Sequence, residues 1–164
     1  GAQQLKDALT ADFYGFYDTG IELRPNDRVM VIANAKWGWV GAYPANPSYN
    51  SYRNSNGDLW FTAAGDQVEL ENNTSFPTML LPTIGTKNQP HCLLVGYLGA
   101  TASTDSVTRA NVFPLGPRGY HVASPTEIPS PPGSSTLKLS LNDTPNGYAD
   151  NTGWCEVWIA VYQP

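Results

Sequence analysis

Residues Thr136–Tyr162 read TLKLSLNDTPNGYADNTGWCEVWIAVY. Two alternating runs bracket a polar loop. In the first, Leu137, Leu139 and Leu141 fall on one face and Lys138, Ser140 and Asn142 on the other. In the second, Cys155, Val157, Ile159 and Val161 alternate with Trp154, Glu156, Trp158 and Tyr162. A period of two is that of a β-strand, and the apolar faces are expected to pack inward. The intervening eleven residues, Asp143 to Gly153, outnumber the roughly two to five of an ordinary hairpin loop. They carry Asp143, Asn146, Asp150 and Asn151, which makes the segment either an elaborate turn or a cation site.

The rest of the chain fits two strands of this kind. Of 164 residues, 41% are hydrophobic, 12% aromatic and only 14% charged, with 15 Gly and 14 Pro. Many turn formers, many aromatics and few charges predict an all-β fold, a jelly-roll-like β-sandwich of two antiparallel sheets, as one domain over 1–164. TGIEL (19–23) and VMVIA (29–33) read as strands in a hairpin about the Pro25-Asn26 turn. LWFTA (59–63), QVELE (67–71), CLLVGYLGA (92–100) and RANVFPL (109–115) supply further strands. Residues 1–15 have weak helical periodicity through Leu5, Ala8, Leu9 and Asp12 and read as a short helix or extension. The Pro-, Gly- and Ser-rich residues 116–135 read as a long surface loop.

Several functions are disfavoured. The net charge is −5 and the nine Lys and Arg form no basic run, so a nucleic-acid partner is not expected. No apolar stretch reaches the ~18 residues of a membrane span, and no signal peptide is visible. Localisation stays open between the cytoplasm and a released or cell-surface protein. Cys92 and Cys155 have no zinc or redox spacing; in apolar strands they are either buried thiols or one inter-sheet disulfide. No nucleophile elbow or phosphate-cradling Gly loop occurs. Asp58, Asp66, Glu69 and Glu71 could supply a glycosidase pair, but all lie on polar or turn positions, where solvated carboxylates are ordinary.

Calcium is a hard cation that takes oxygen from carboxylates, amides and backbone carbonyls, and the loop offers Asp143 at one end and Asp150 and Asn151 at the other. Pro145 stiffens the bend and Gly147 allows a carbonyl to turn inward. The same residues also make plain Asx turns.

The motif from Asn142 to Gly153 resembles the calcium loop of the small bacterial galactose-binding lectins of the LecA (PA-IL) type, Asn-Asp-x-Pro-x-x-Tyr-x-Asn-Asn-x-Gly, with no gap. TGIELRPNDRVMVIANAKWGW (19–39) is similar to that family's first hairpin, so the resemblance covers both ends, roughly a third of the chain. It implies a galactose-binding-domain-like sandwich with bound Ca2+. The implied metal ligands are Asp143, the Gly147 carbonyl, Asp150, Asn151 and a carbonyl placed at Trp39. Asp150 departs from the family's Asn, and Gly147 from its Thr. In these lectins two sugar hydroxyls ligate the calcium directly, so Asp143, Gly147, Asp150 and Trp39 would also meet the sugar. The family's His-Pro-x-Gln segment, which holds a further hydroxyl, is missing; NQPHC (88–92) has Gln89 and His91 in reversed order and close to a strand. Trp37 or Tyr43 could substitute. The implied function is calcium-dependent, non-enzymatic binding of galactose-containing glycans, in a homo-oligomer that the resemblance makes a tetramer. The alternatives are a carbohydrate-binding or structural β-sandwich module without the galactose site, and a glycoside-active enzyme.

Overall fold

The computed structural model describes residues 2–10, 16–39, 47–68, 79–99, 107–144, 148 and 151–164; of 2–10, 39, 47 and 50 only the backbone is described. The strands are β1 (Ala2–Thr10), β2 (Tyr17–Leu23), β3 (Arg28–Trp39), β4 (Leu59–Phe61), β5 (Thr83–Ile84), β6 (Lys87–Asn88), β7 (Leu94–Leu98), β8 (Val112–Pro114), β9 (Arg118–Val122), β10 (Ser135–Leu141) and β11 (Asn151–Tyr162). One antiparallel sheet runs β1-β11-β3-β4, with β9 beside the opposite end of the same edge of β3. The second runs β2-β10-β7-β8, and β5-β6 is a small separate ribbon. The expected all-β sandwich of antiparallel sheets is the fold.

Alternation builds the core between the sheets. On β3, Val29, Val31, Ala33, Ala35 and Trp37 are buried, while Met30, Ile32, Asn34 and Lys36 face out. On β11, Cys155, Val157, Ile159 and Val161 are buried as their period predicts. Leu137, Leu139 and Leu141 complete the core from β10. The other face of β10 is buried too, because Lys138 Nζ donates to the Gly99 carbonyl at 2.7 Å and Ser140 lies against Tyr148.

Four expectations are corrected. The opening residues form β1, not a helix: Ala2–Thr10 pairs in continuous register with Thr10 opposite Trp154, and strand pairing overrides weak helical periodicity. The Pro25-Asn26 turn is real, with Asn26 at φ 74° and Asp27 N–H bonded to the Arg24 carbonyl at 3.0 Å. It is not a hairpin, however. β2 pairs with β10 and β3 with β11, so the turn carries the chain from one sheet to the other. Its corner is fixed by Asn26 N–H to Ala123 O (2.8 Å) and Ala123 N–H to Asp27 O (2.9 Å). The segment 116–135 is not all surface loop. It contains β9, and Ala123, Glu127 and Ile128 are buried. Gln67 and Val68 are outside any strand; the remainder of QVELE lies outside the described residues.

Neither cysteine is in a disulfide and both are buried, so the open choice resolves to two thiols. Burial, then the neighbouring Glu156 charge, pushes the Cys155 thiol up to about 12.

Candidate functional site

β10 and β11 belong to different sheets, so the segment from Asp143 crosses between them and does not close a hairpin. Its two ends nonetheless meet. Asn151 Nδ2 donates to Asp143 Oδ2 at 2.9 Å, with both residues buried.

Three anchors hold the crossing. Asn142 is fully buried: its Nδ2 donates to the Leu81 and Pro90 carbonyls (2.8 and 2.9 Å) and its Oδ1 accepts from Leu81 N–H (2.9 Å). Tyr148 is buried and donates its hydroxyl to the Leu141 carbonyl at 2.8 Å. Burial raises the phenol well above its ordinary value, so it stays a donor at physiological pH. The third is the register of β11 on β3, which sets Asn151 opposite Trp39.

The Asp143 carboxylate is surrounded. Oδ1 accepts from His91 Nε2 (2.8 Å) and from Thr144 N–H (2.7 Å). His91 is aimed by a tight turn: its carbonyl accepts from Asp66 N–H (2.7 Å), and Leu93 N–H bonds to Pro90 O (3.4 Å). Cys92, at φ 62°, occupies the left-handed region that few non-glycine residues adopt, and its two backbone groups bond to Asn142 O and the Trp37 indole.

Among the described residues, the buried Asn151 Oδ1 has no hydrogen-bond partner. A buried acceptor left unpaired costs about 1–3 kcal/mol. An acidic oxygen, an orphaned amide oxygen and the Trp39 backbone at one strand end make an oxygen-rich set that suits a hard cation. Among the described residues no group of three or more His, Cys, Asp and Glu could hold a metal ion. Among the described residues, a cation here would meet one carboxylate, that of Asp143, together with amide and backbone oxygens.

The expected site residues divide as follows. Asp143 and Asn151 come together, and Trp39 is the strand partner of Asn151. Gly147, Asp150 and Tyr43 lie outside the described residues. Trp37 as a sugar contact is corrected: its indole is wholly buried and donates Nε1–H to the Cys92 carbonyl at 2.9 Å, so no ring face is open to a ligand. Its inward place follows from the β3 alternation. His91 was discounted for its order and its nearness to a strand, yet it touches Asp143. The signal lies in the turn geometry of residues 90–93, which linear spacing does not carry. Of the candidate glycosidase carboxylates, Asp66 is not solvated; it is buried and accepts from the Tyr49 hydroxyl at 2.9 Å. Asp58 accepts from Asn54 Nδ2 at 2.9 Å, and Glu69 and Glu71 lie outside the described residues.

No protein-family model matches the chain, and no curated protein does. Among solved structures it is similar to one described as "EclA N-terminal domain; PllA-like lectin". The TM-score is 0.54 at 16% identity, over 96% of this chain and 95% of that one. At that identity the likeness establishes a shared fold, that of a lectin β-sandwich domain, over nearly the whole length of both chains.

Proposed function

We propose that the chain is a calcium-dependent lectin that binds galactose-type terminal sugars through their hydroxyls on a cation held by Asp143 and Asn151. The observation that carries this reading is the buried, unpartnered Asn151 Oδ1 beside the buried Asp143 carboxylate. Rotating the amide by 180° exchanges Oδ1 with Nδ2 and sets two oxygens facing one another. That arrangement is repulsive until a cation sits between them, and then both become ligands. The Trp39 carbonyl, Gly147 and Asp150 would complete the set, Asp150 adding a second carboxylate. Two vicinal sugar hydroxyls would take the outward positions, and carboxylate ligands would accept their protons. His91 and the Thr144 amide hold Oδ1 and keep the carboxylate from turning away.

The lectin fold over almost the full chain supports binding over catalysis, and the sugar leaves unchanged. Assembly into a homotetramer, as the sequence resemblance implies, would multiply weak single-site affinity into avidity for clustered glycans. Calcium titration of Asp143→Ala tests the assignment: calcium and galactose binding are lost together. Retention of both refutes it.

A further inference from the structure

A groove of about 570 Å3 crosses the outer face of the five-stranded sheet, separate from Asp143 and Asn151. We propose that it is a second saccharide site, one that takes a sugar ring bearing a carboxylate. Its volume is within the ~300–1,000 Å3 of small-ligand sites. Trp60 and Trp154 line it with Lys36, Arg53, Asn34 and Asn54, and no carboxylate is among the described residues of its lining. On a chain of net charge −5, a Lys and an Arg lining one groove with two indoles is a local departure from the average surface.

The strand register builds it. Lys36 is paired with Trp154 and Gly38 with Trp60, so the ammonium and both indoles lie on neighbouring strands. Gly153, at φ 114°, has no side chain where a Cβ would strike the Trp60 ring at 2.8 Å, so the indole can lie across β11. Lys36 Nζ sits 5.5 Å from the Trp60 centroid, a cation–π contact that keeps the charge at the groove wall. Arg53 Nη1 donates to the Gly57 carbonyl at 3.1 Å, which fixes the guanidinium. Trp154 is 42% exposed and presents an indole face to solvent. The apolar C–H face of a pyranose packs on such a ring. The carboxylate then meets Lys36 and Arg53 in charge-assisted hydrogen bonds, and Asn34 and Asn54 can pair with ring hydroxyls. Among the described residues the buried Trp60 Nε1 has no acceptor, and a hydroxyl reaching it after a small ring movement would relieve an unpaired donor.

The site is independent of the proposed calcium site, so it is tested with chelator present throughout. Methyl β-D-glucuronide and methyl β-D-glucoside differ only in the carboxylate, and the five tryptophan indole N–H resonances report on each. The expected result is a saturable shift of the Trp154 and Trp60 resonances by the glucuronide, with the glucoside at least tenfold weaker. Lys36→Ala weakens the glucuronide at least tenfold, and Trp154→Leu abolishes its binding. The Trp37 resonance, from a buried indole, reports that each variant is folded; a variant that loses it is replaced by Lys36→Gln or Trp154→Phe, for which the same weakening is expected. No saturable shift, equal affinity for the glucoside, or binding unchanged in a folded variant overturns the proposal.

Discussion

Asn151 Nδ2 donates to Asp143 Oδ2 across 2.9 Å, joining the start of a strand in one sheet to the second residue past a strand in the other. The contact links the two sheets at the place where the chain crosses between them. It also leaves Asn151 Oδ1 without a partner.

Replacing this amide by a carboxylate separates the apo and cation-bound states. Asn151→Asp sets two carboxylates together in a buried place, where like charges repel. In chelator the variant melts below the wild-type protein. Calcium then raises its melting temperature by more than it raises that of the wild type, because a ligand that binds only the folded state stabilises it. Thermal melts with and without calcium check both signs; a variant insensitive to calcium contradicts the site.

His91 holds Asp143 in place and is not required to touch the sugar. His91→Ala removes a hydrogen bond to a buried carboxylate and costs about 1.5–3 kcal/mol of stability. Calcium affinity falls with it, since the carboxylate is no longer held by its imidazole. His91→Gln, which can restore one donor, recovers part of both. Denaturant unfolding and calcium titration of the two variants measure this, and equal effects from both would show that the donor is irrelevant.

A second ionic cluster governs acid stability. Glu127 is buried and accepts from His121 Nε2 at 2.9 and 3.0 Å and from Ser124 N–H at 2.9 Å, while His121 stacks on Phe113 with centroids 3.5 Å apart. Burial pushes the Glu127 carboxyl up, but the His121 and Ser124 hydrogen bonds and the His121 charge outweigh it and leave the pKa below the ordinary 4.5. A depressed carboxylate stabilises the fold fully above its unfolded value. That contribution is lost as pH falls through the lower folded value. Glu127→Gln is therefore less stable than wild type at neutral pH, and the gap narrows as pH drops below about 4.5. Urea midpoints measured across that range test the sign.

The thiols are inert in the native state. Cys92 and Cys155 are buried thiols outside any disulfide, and Cys155 is held at about 12 by burial and the Glu156 charge. Native protein at pH 7 does not react with a thiolate-seeking alkylating reagent, and unfolded protein takes up two equivalents without reductant. Mass spectrometry reads both numbers; one equivalent from the native protein contradicts the packing.

The strands of Thr136–Tyr162 were legible because alternation fixes which side chains face inward, and the burial of Cys155, Val157, Ile159 and Val161 follows that rule. Pairing was not. The Pro25-Asn26 turn looks like a hairpin in sequence, but turn chemistry fixes a bend and leaves open which sheet receives the next strand. β1 was missed because a register against β11 is a non-local fact. At the site, Asp143 and Asn151 were readable as oxygen donors. His91 was not, since its contact with Asp143 is made by the fold and not by spacing along the chain. Trp37, offered as a substitute sugar contact, is core, for the same reason that its neighbours on alternate positions of β3 are.

The central claim is that a cation held by Asp143 and Asn151 carries the sugar. The most direct test is a calorimetric titration of galactose into the calcium-loaded protein and again after complete removal of calcium by a chelator. The account predicts saturable binding in the first and none in the second, restored on adding calcium back. Binding of galactose that persists unchanged without calcium would contradict it.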